Sequence, residues 1–465
     1  MTGRITDSAL HGHLWGTDEA RAILGERGRL QGWLDVIAAL ARAQAAEGII
    51  PAAAARAITG HARVELIDLG YAAEQTRATG HSTLGLIRAL AARLPGHARE
   101  HVYVGATVQD VTDTWAALAM RGVGAIAWRD LRSAEALLLE LAERHRDTPM
   151  CGRTHGQPGS PVTFGWKAAS WADEIRRHLD RLREGAPRWL VGQLGGGVGS
   201  LVFYSGRGLA VRARFCAELG LLDPGISWTA ARDRVAEFGG VLALICGTLA
   251  RIGSEVYELQ RPEIGELAEP AAAGAVSSIT MPHKRNPERS EHLDTLARLA
   301  RANAALLSES MTGQHERDGR AWKAEWVALP EVSLLAAAAL ETALAVLGGL
   351  EVDAGAMLRN LRRHGAAGSE QALARLAPLI GGRAAQERLQ RALTAAAEPG
   401  AGREAGAAPE AVAGLLREAG AAGPGSGGDA AGAWAPDPGA CPQMVDLVLA
   451  RAAAARRAEP QEWPP

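Results

Sequence analysis

Apolar residues recur at three- and four-residue steps along most of this chain, and strand-like alternation of β-branched and aromatic residues is nearly absent. "AEALLLELAERH" (Ala134 to His145) and "VLALICGTLARIGSEVYEL" (Val241 to Leu259) show the helical period plainly. Proline-free stretches run from Gly96 to Thr148, Gly225 to Arg261, Glu288 to Leu329 and Glu331 to Ala377, and Ala, Leu, Arg and Glu dominate each. The pattern predicts an all-α fold whose helices exceed the usual ~11–12 residues. Helices of roughly 25 residues reach ~38 Å at 1.5 Å per residue. A bundle that slender leaves apolar faces uncovered, so association of several copies is expected.

Three segments follow from the same pattern. Residues 1–107 read as shorter helices with glycine breaks, residues 108–350 as the long-helix bundle, and residues 351–465 as a smaller helical domain. The last contains the Gly/Ala-rich run from Ala397 to Ala440, read as carrying a mobile linker. The most apolar stretch, Ser333 to Leu350, has Glu341 near its middle and reads as a core helix, not a membrane span.

Composition narrows the function classes. Hydrophobic residues make up 47% and charged residues 22% of 465, with a formal charge of −2. Clustered basic charge of the kind nucleic acid or a membrane surface requires is missing, so neither partner is expected. The four cysteines have no metal-ligand or disulfide spacing, and the N-terminus has no apolar leader core. The expectation is a soluble cytoplasmic protein without a metal.

Polar chemistry concentrates in a few short segments. "SSITMPHKRNPERSE" (Ser277 to Glu291) crowds serines, Lys284, Asn286 and Glu291 into fifteen positions. Lys284 and Asn286 can hold a carboxylate by charge and by amide donor. Ser278 can serve as nucleophile or base; the plainer reading is an exposed loop whose serines cap a helix. In "GRTHGQPGSPVTFG", His155 stands between Thr154 and Gln157 where Gly and Pro break the helix. An imidazole that titrates near ~6.5 suits proton donation at neutral pH, although a lone His is more often structural. "YVGATVQDVTDTW" places Thr107, Gln109 and Asp110 at the start of a long helix, a ready anion site, with Asp113 read as a first-turn dipole partner. His81 lies in "TRATGHSTLGL", and "GQHERDGRAWKAEW" brings Arg317 and Arg320 beside two tryptophans.

Together these segments resemble the fumarase/aspartase superfamily, in its adenylosuccinate lyase and carboxymuconate cycloisomerase branch. "SSITMPHKRNP" matches its signature, and "GATVQDVTDT", "GRTHGQP", "TAARDRVAEF" and "HERDGRAWKAEWVALPE" follow the same order over nearly the whole chain. The resemblance implies a homotetramer around a central helix bundle, active sites built from three subunits, and no cofactor. It implies β-elimination from a small dicarboxylate of succinyl type, usually releasing fumarate. On that resemblance Ser278 is the base, His155 the proton donor and His81 a second active-site histidine. Lys284 and Asn286 would bind carboxylate, with Thr107, Gln109, Thr154, Gln157, Arg317 and Arg320 around the substrate and Glu291 and Asp110 in support.

Departures from the family pattern bear on the substrate. Ser277 stands for the signature's glycine, Ile279 for its second serine, Val108 for a serine of the carboxylate cradle, and Tyr103 for a histidine common in this branch. "GRAWKAEW" replaces a serine-rich phosphate cradle, which disfavours a nucleotide, and the retained His155 disfavours lactone formation. The hybrid pattern implies a carbon–nitrogen lyase of the nitrosuccinate lyase kind. The alternatives are a carboxymuconate cycloisomerase, an adenylosuccinate lyase-like enzyme and an inactive structural tetramer.

Overall fold

The computed structural model describes residues 3–271, 274, 278–363, 368–397, 407–420 and 437–463. The fold is all-α, and its long axis is set by helices we label α1 (Glu26–Ala46), α2 (Val108–Arg144), α3 (Phe164–Trp189), α4 (Asp233–Gln260), α5 (Glu288–Glu309) and α6 (Gly319–Leu347). The α2 helix has 37 residues and spans ~55 Å. It starts with a capping box, in which Thr107 and Asp110 satisfy each other's backbone N–H groups.

Two expectations need correcting. The first segment is not built of short helices alone, because α1 runs for 21 residues straight through Gly28 and Gly32. The α1 face bearing Leu34, Ile37 and Leu40 is buried, and that burial outweighs the glycines' weak helix propensity. Pro330 likewise marks no boundary, since it sits buried inside α6. Strands also occur: β1 (Pro149–Thr154) pairs antiparallel with β2 (Gln157–Thr163), and Leu267–Ala268 pairs with Glu351–Val352. Six and seven residues, broken by Gly152, Pro158, Gly159 and Pro161, are too short and irregular a run for alternation to stand out against a helical background.

Packing orders the long helices. Gly239 lies against Leu307 and Gly253 against Leu293, so α4 and α5 run antiparallel and close together. A Cβ at Gly239 would sit 2.4 Å from the end of the Leu307 side chain, so a larger residue would force Leu307 to shift. Arg232, one residue before α4, joins Asp113 in the second turn of α2 to Glu325 in the second turn of α6. The starts of α2, α4 and α6 therefore share one end of the bundle, called the head here. The α4–α5 connection lies at the other end, the tail. By length and composition α4 and α6 could each cross a bilayer, at mean hydropathy 1.6, but 67% of each apolar window is buried inside the bundle. All four cysteines are free and buried.

One core runs from Leu24 through Leu347 and takes in Met357 and Val445. A separate small core forms around Ala372, Leu376, Leu389 and Val412. The C-terminal helix Cys441–Ala458 returns to the bundle, where the fully buried Glu135 meets Arg176 and Arg456. Much of the Ala397 to Ala440 run lies outside the described residues.

Candidate functional site

At the head, Asp110 is the hub. Its buried carboxylate accepts the N–H of Thr107 at 2.8 Å, of Gly195 at 2.8 Å and of Gly196 at 3.0 Å. Burial raises its pKa to about 7 against the pull of those three donors. The bonds clamp the glycine-rich loop Gly195–Gly199 onto the start of α2. Arg317 holds the same loop from the other side, donating to the Gly197 carbonyl at 3.1 Å. Tyr103, at φ 65°, stands beside Thr83, Asp110 and Arg317, and burial raises its phenol well above the usual range. The Thr83 hydroxyl is close enough to pull that phenol down, yet lacks the geometry of a full hydrogen bond.

The remaining head residues divide between interior and surface. Gln109 is fully buried, its amide donating to Thr229 at 2.9 Å and Asp113 at 3.2 Å. Asp113 is not the first-turn dipole partner expected. It is buried and accepts from Arg232 at 2.8 Å and from the Trp322 indole at 3.1 Å. His81 is exposed and its Nδ1 accepts the Leu84 N–H at 3.2 Å. Arg320 is exposed and paired with Asp318 at 2.6 Å.

At the tail, the α4–α5 connection carries Ser278. Its Oγ accepts the Met281 N–H at 3.0 Å, and the Lys284 N–H reaches the Met281 carbonyl at 3.0 Å. These two bonds curl residues 278–284 into a compact turn with the Lys284 side chain in solvent. Asn286 is half-buried just behind it. Glu269 anchors the far side by accepting the Ser290 N–H at 2.6 Å at the start of α5, where Glu291 lies exposed in the first turn. Ile279 is 92% exposed, so the departure from serine removes no buried contact in one chain. Ser277 and most of the small residues just before it lie outside the described residues.

His155 is not at a helix break but at the tip of the β1–β2 hairpin. Thr154 pairs with Gln157, and His155 and Gly156 form the turn at φ 52° and 72°. Two successive left-handed residues make a tight hairpin turn whose twist matches the strands. The turn leaves Thr154, His155 and Gln157 exposed together. Arg153 behind them pairs with the fully buried Glu266 at 2.7 Å, and Asn360 donates to the same carboxylate at 2.8 Å.

One chain cannot bring the head and the hairpin together. Glu266 bonds back to Leu259 at the tail of α4, a helix of 28 residues that begins at the head. Its length of ~42 Å, less at most ~25 Å for the links from Leu259 through Glu266 and Arg153 to His155, leaves a gap of at least ~15 Å. The sequence-predicted residues thus fall into two groups at opposite ends: Tyr103, Thr107, Asp110 and Arg317 at one, and Ser278, Lys284 and the His155 tip at the other.

Three features of this site were not singled out from the sequence. "GQLGGGVGS" (Gly192 to Ser200) shows four glycines in five positions and was legible as a turn-rich loop. The Asp113–Arg232–Glu325 cluster and the Arg153–Glu266–Asn360 brace join distant positions and leave no local signal.

Comparison with known proteins identifies the family. Residues 15–301 match the lyase family. The chain is 41% identical over 382 residues to the N-acetyl-S-(2-succino)cysteine lyase of Dickeya dadantii, covering 82% of this chain and 84% of that one. It is 42% identical over 382 residues to the 3-carboxy-cis,cis-muconate cycloisomerase of Pseudomonas aeruginosa, covering 81% and 83%. The crystal structure of the Pseudomonas putida 3-carboxy-cis,cis-muconate lactonizing enzyme superposes with TM-score 0.87 at 32% identity, covering 96% of this chain and 99% of that one. With its family match, its helical architecture and its ordered motifs, the chain belongs to the fumarase/aspartase superfamily of lyases.

Proposed function

We propose that this enzyme catalyses β-elimination from a small succinyl adduct, releasing fumarate, in a homotetramer whose active sites combine residues of several copies. The observation that carries the reading is the separation of two half-sites. A rigid, anion-friendly head and an exposed tail with Ser278, Lys284 and the His155 tip are each incomplete in one chain. Exposed Leu244 and Tyr257 on α4, Leu299 and Leu306 on α5 and Val327 on α6 supply apolar surface for the association.

In this reading Lys284 and Asn286 grip one carboxylate of the succinyl group, and the head of another copy faces the rest. Ser278 removes the proton from the carbon beside that carboxylate. The C–H electron pair becomes the new C=C bond, and the bond to the leaving atom breaks with its pair. His155 donates a proton to that atom, so the products are fumarate and a protonated leaving group. Tyr103, kept neutral by burial, donates a hydrogen bond at the head.

The leaving atom we favour is sulfur, because the thioether relative covers most of the chain and a departing thiolate benefits from an acid such as His155. The carbon–nitrogen reading, nitrosuccinate with nitrite departing, is supported by the hybrid motif pattern. It predicts little dependence on His155, since nitrite is a weak base. Steady-state assays on N-acetyl-S-(2-succino)cysteine and nitrosuccinate, read by fumarate, and on carboxymuconate, read by loss of its diene absorbance, separate the cases. Fumarate with stoichiometric thiol supports the sulfur reading. Turnover of carboxymuconate alone overturns elimination.

A further inference from the structure

Beside the head lies a cavity of about 600 Å³ that the reaction above does not use. Its walls include Arg29, Leu30 and Trp33 of α1, Ser82 between His81 and Thr83, and Glu331 and Leu334 of α6. Most of its charges are already matched. Arg4 pairs with Glu331 and with Asp7, and Arg21 donates to the Thr6 and Gly12 carbonyls at 2.9 and 2.7 Å. Glu26 sits exposed at the rim.

Arg29 is the exception. Among the described residues it forms no ion pair, and its one hydrogen bond is a 3.4 Å contact to the Leu24 carbonyl. Its guanidinium stacks 5.3 Å over Trp115, while its Nε is buried without an acceptor. Burial pulls its pKa down, with Glu26 the weaker opposing influence. Trp33, only 8% exposed, also has an indole N–H with no acceptor. A smaller pocket shares Arg29 and Trp33 and adds Trp326, whose indole N–H is unpartnered too. Asp113 and Glu325 line that pocket, but both are committed to Arg232.

Arg29 is thus a cation on the cavity wall with no anion beside it, which calls for a ligand that brings one. Leu30, Trp33 and Leu334 call for a short apolar or amide arm leading to it. Ser82 puts this cavity one residue from His81 and one from Thr83, which stands beside Tyr103. We infer that the cavity receives the departing half of the substrate and that Arg29 binds a carboxylate carried on that half. The inference rests on the proposed elimination and narrows its substrate class to succinyl adducts whose leaving group is itself an organic acid.

The test compares two thioethers that differ by one group: the succinyl adduct of N-acetylcysteine and that of N-acetylcysteamine, which lacks the leaving-group carboxylate. Arg29→Gln should raise KM at least ~10-fold for the first adduct, as expected for one charge-assisted hydrogen bond. It should change KM for the second by less than ~2-fold, leave kcat nearly unchanged, and be partly restored in Arg29→Lys. Arg29→Met, which keeps the stem beside Trp115 and removes the guanidinium, should weaken the first adduct selectively and serves if Arg29→Gln does not fold. Equal losses on both adducts, or no loss, overturn the inference. Should neither adduct be turned over, the elimination reading fails on its own, and calorimetry with N-acetylcysteine still tests the cavity. Wild type should bind it and Arg29→Gln at least ~10-fold more weakly; equal binding refutes the site. Inhibition by N-acetylcysteine should weaken in Arg29→Gln in step with the loss of binding, and inhibition undiminished in that variant would overturn the leaving-group assignment.

Discussion

Replacing Asp110 by Asn tests the head most sharply, because charge and hydrogen bonding there act in opposite directions. The carboxylate accepts one N–H on Oδ1, from Gly195, and two on Oδ2, from Thr107 and Gly196. An Asn side chain keeps one acceptor oxygen, so its best orientation still strands Gly195 and points an NH₂ at backbone donors. Each stranded donor costs about 1–3 kcal/mol. Against this, the substitution removes a buried charge whose pKa rises from 3.8 to about 7. The folded state therefore holds the proton over a window in which the unfolded chain has released it. Wild-type stability is fully present below about 4 and is lost as pH rises towards 7. At about 1.4 kcal/mol per pH unit the swing is about 4 kcal/mol. Urea unfolding of both proteins at steps between about pH 4.5 and 8 isolates this group, because other titrations cancel in the difference. The stability advantage of wild type over Asp110→Asn should shrink as pH rises and level off above about 7. A constant or widening gap refutes burial as the dominant influence on Asp110.

Three further outcomes follow from the same contacts. His155→Ala should slow release of a thiol about 10²-fold or more, the usual scale of a general acid, and slow nitrite release far less; equal effects contradict His155 as the proton donor. Arg232→Met leaves Asp113 and Glu325 buried without their cation and should cost about 3–5 kcal/mol in urea unfolding, while a change under about 1 kcal/mol refutes the cluster's role. Glu266→Gln should lower kcat by freeing the hairpin behind His155, and Arg153→Met should add little in the double variant; additive losses in that cycle would show the two residues act independently.

The sequence was most informative where the cause is local. The start of α2 was readable because a Thr and an Asp three residues apart cap a helix whatever lies around it. The long helices were readable from their apolar period, although α1 shows that core burial overrides glycine breaks and α6 that it overrides Pro330. The hairpin was misread because "THGQ" carries its turn signal in the backbone: His155 adopts a left-handed conformation that side-chain chemistry does not announce. Asp113 was misread for a different reason. Acids near a helix start usually face solvent, and only the fold reveals that Arg232, 119 positions away, meets it in the interior. The grouping of site residues at two ends of one bundle follows from helix length, which periodicity measures. Which end each loop occupies follows from packing, which it does not.

Subunit complementation tests fumarate-releasing elimination at a site shared between copies. Ser278→Ala and Tyr103→Phe disable residues from opposite ends of the bundle. The purified variants, assayed with N-acetyl-S-(2-succino)cysteine, should each lose most fumarate release. Mixing them, dissociating and reassociating should then restore a substantial fraction of wild-type activity, because some hybrid sites draw both residues from unmutated copies. Fumarate release by wild type with no recovery in any mixture would contradict the shared site, and no fumarate from wild type on any succinyl adduct would contradict the reaction itself.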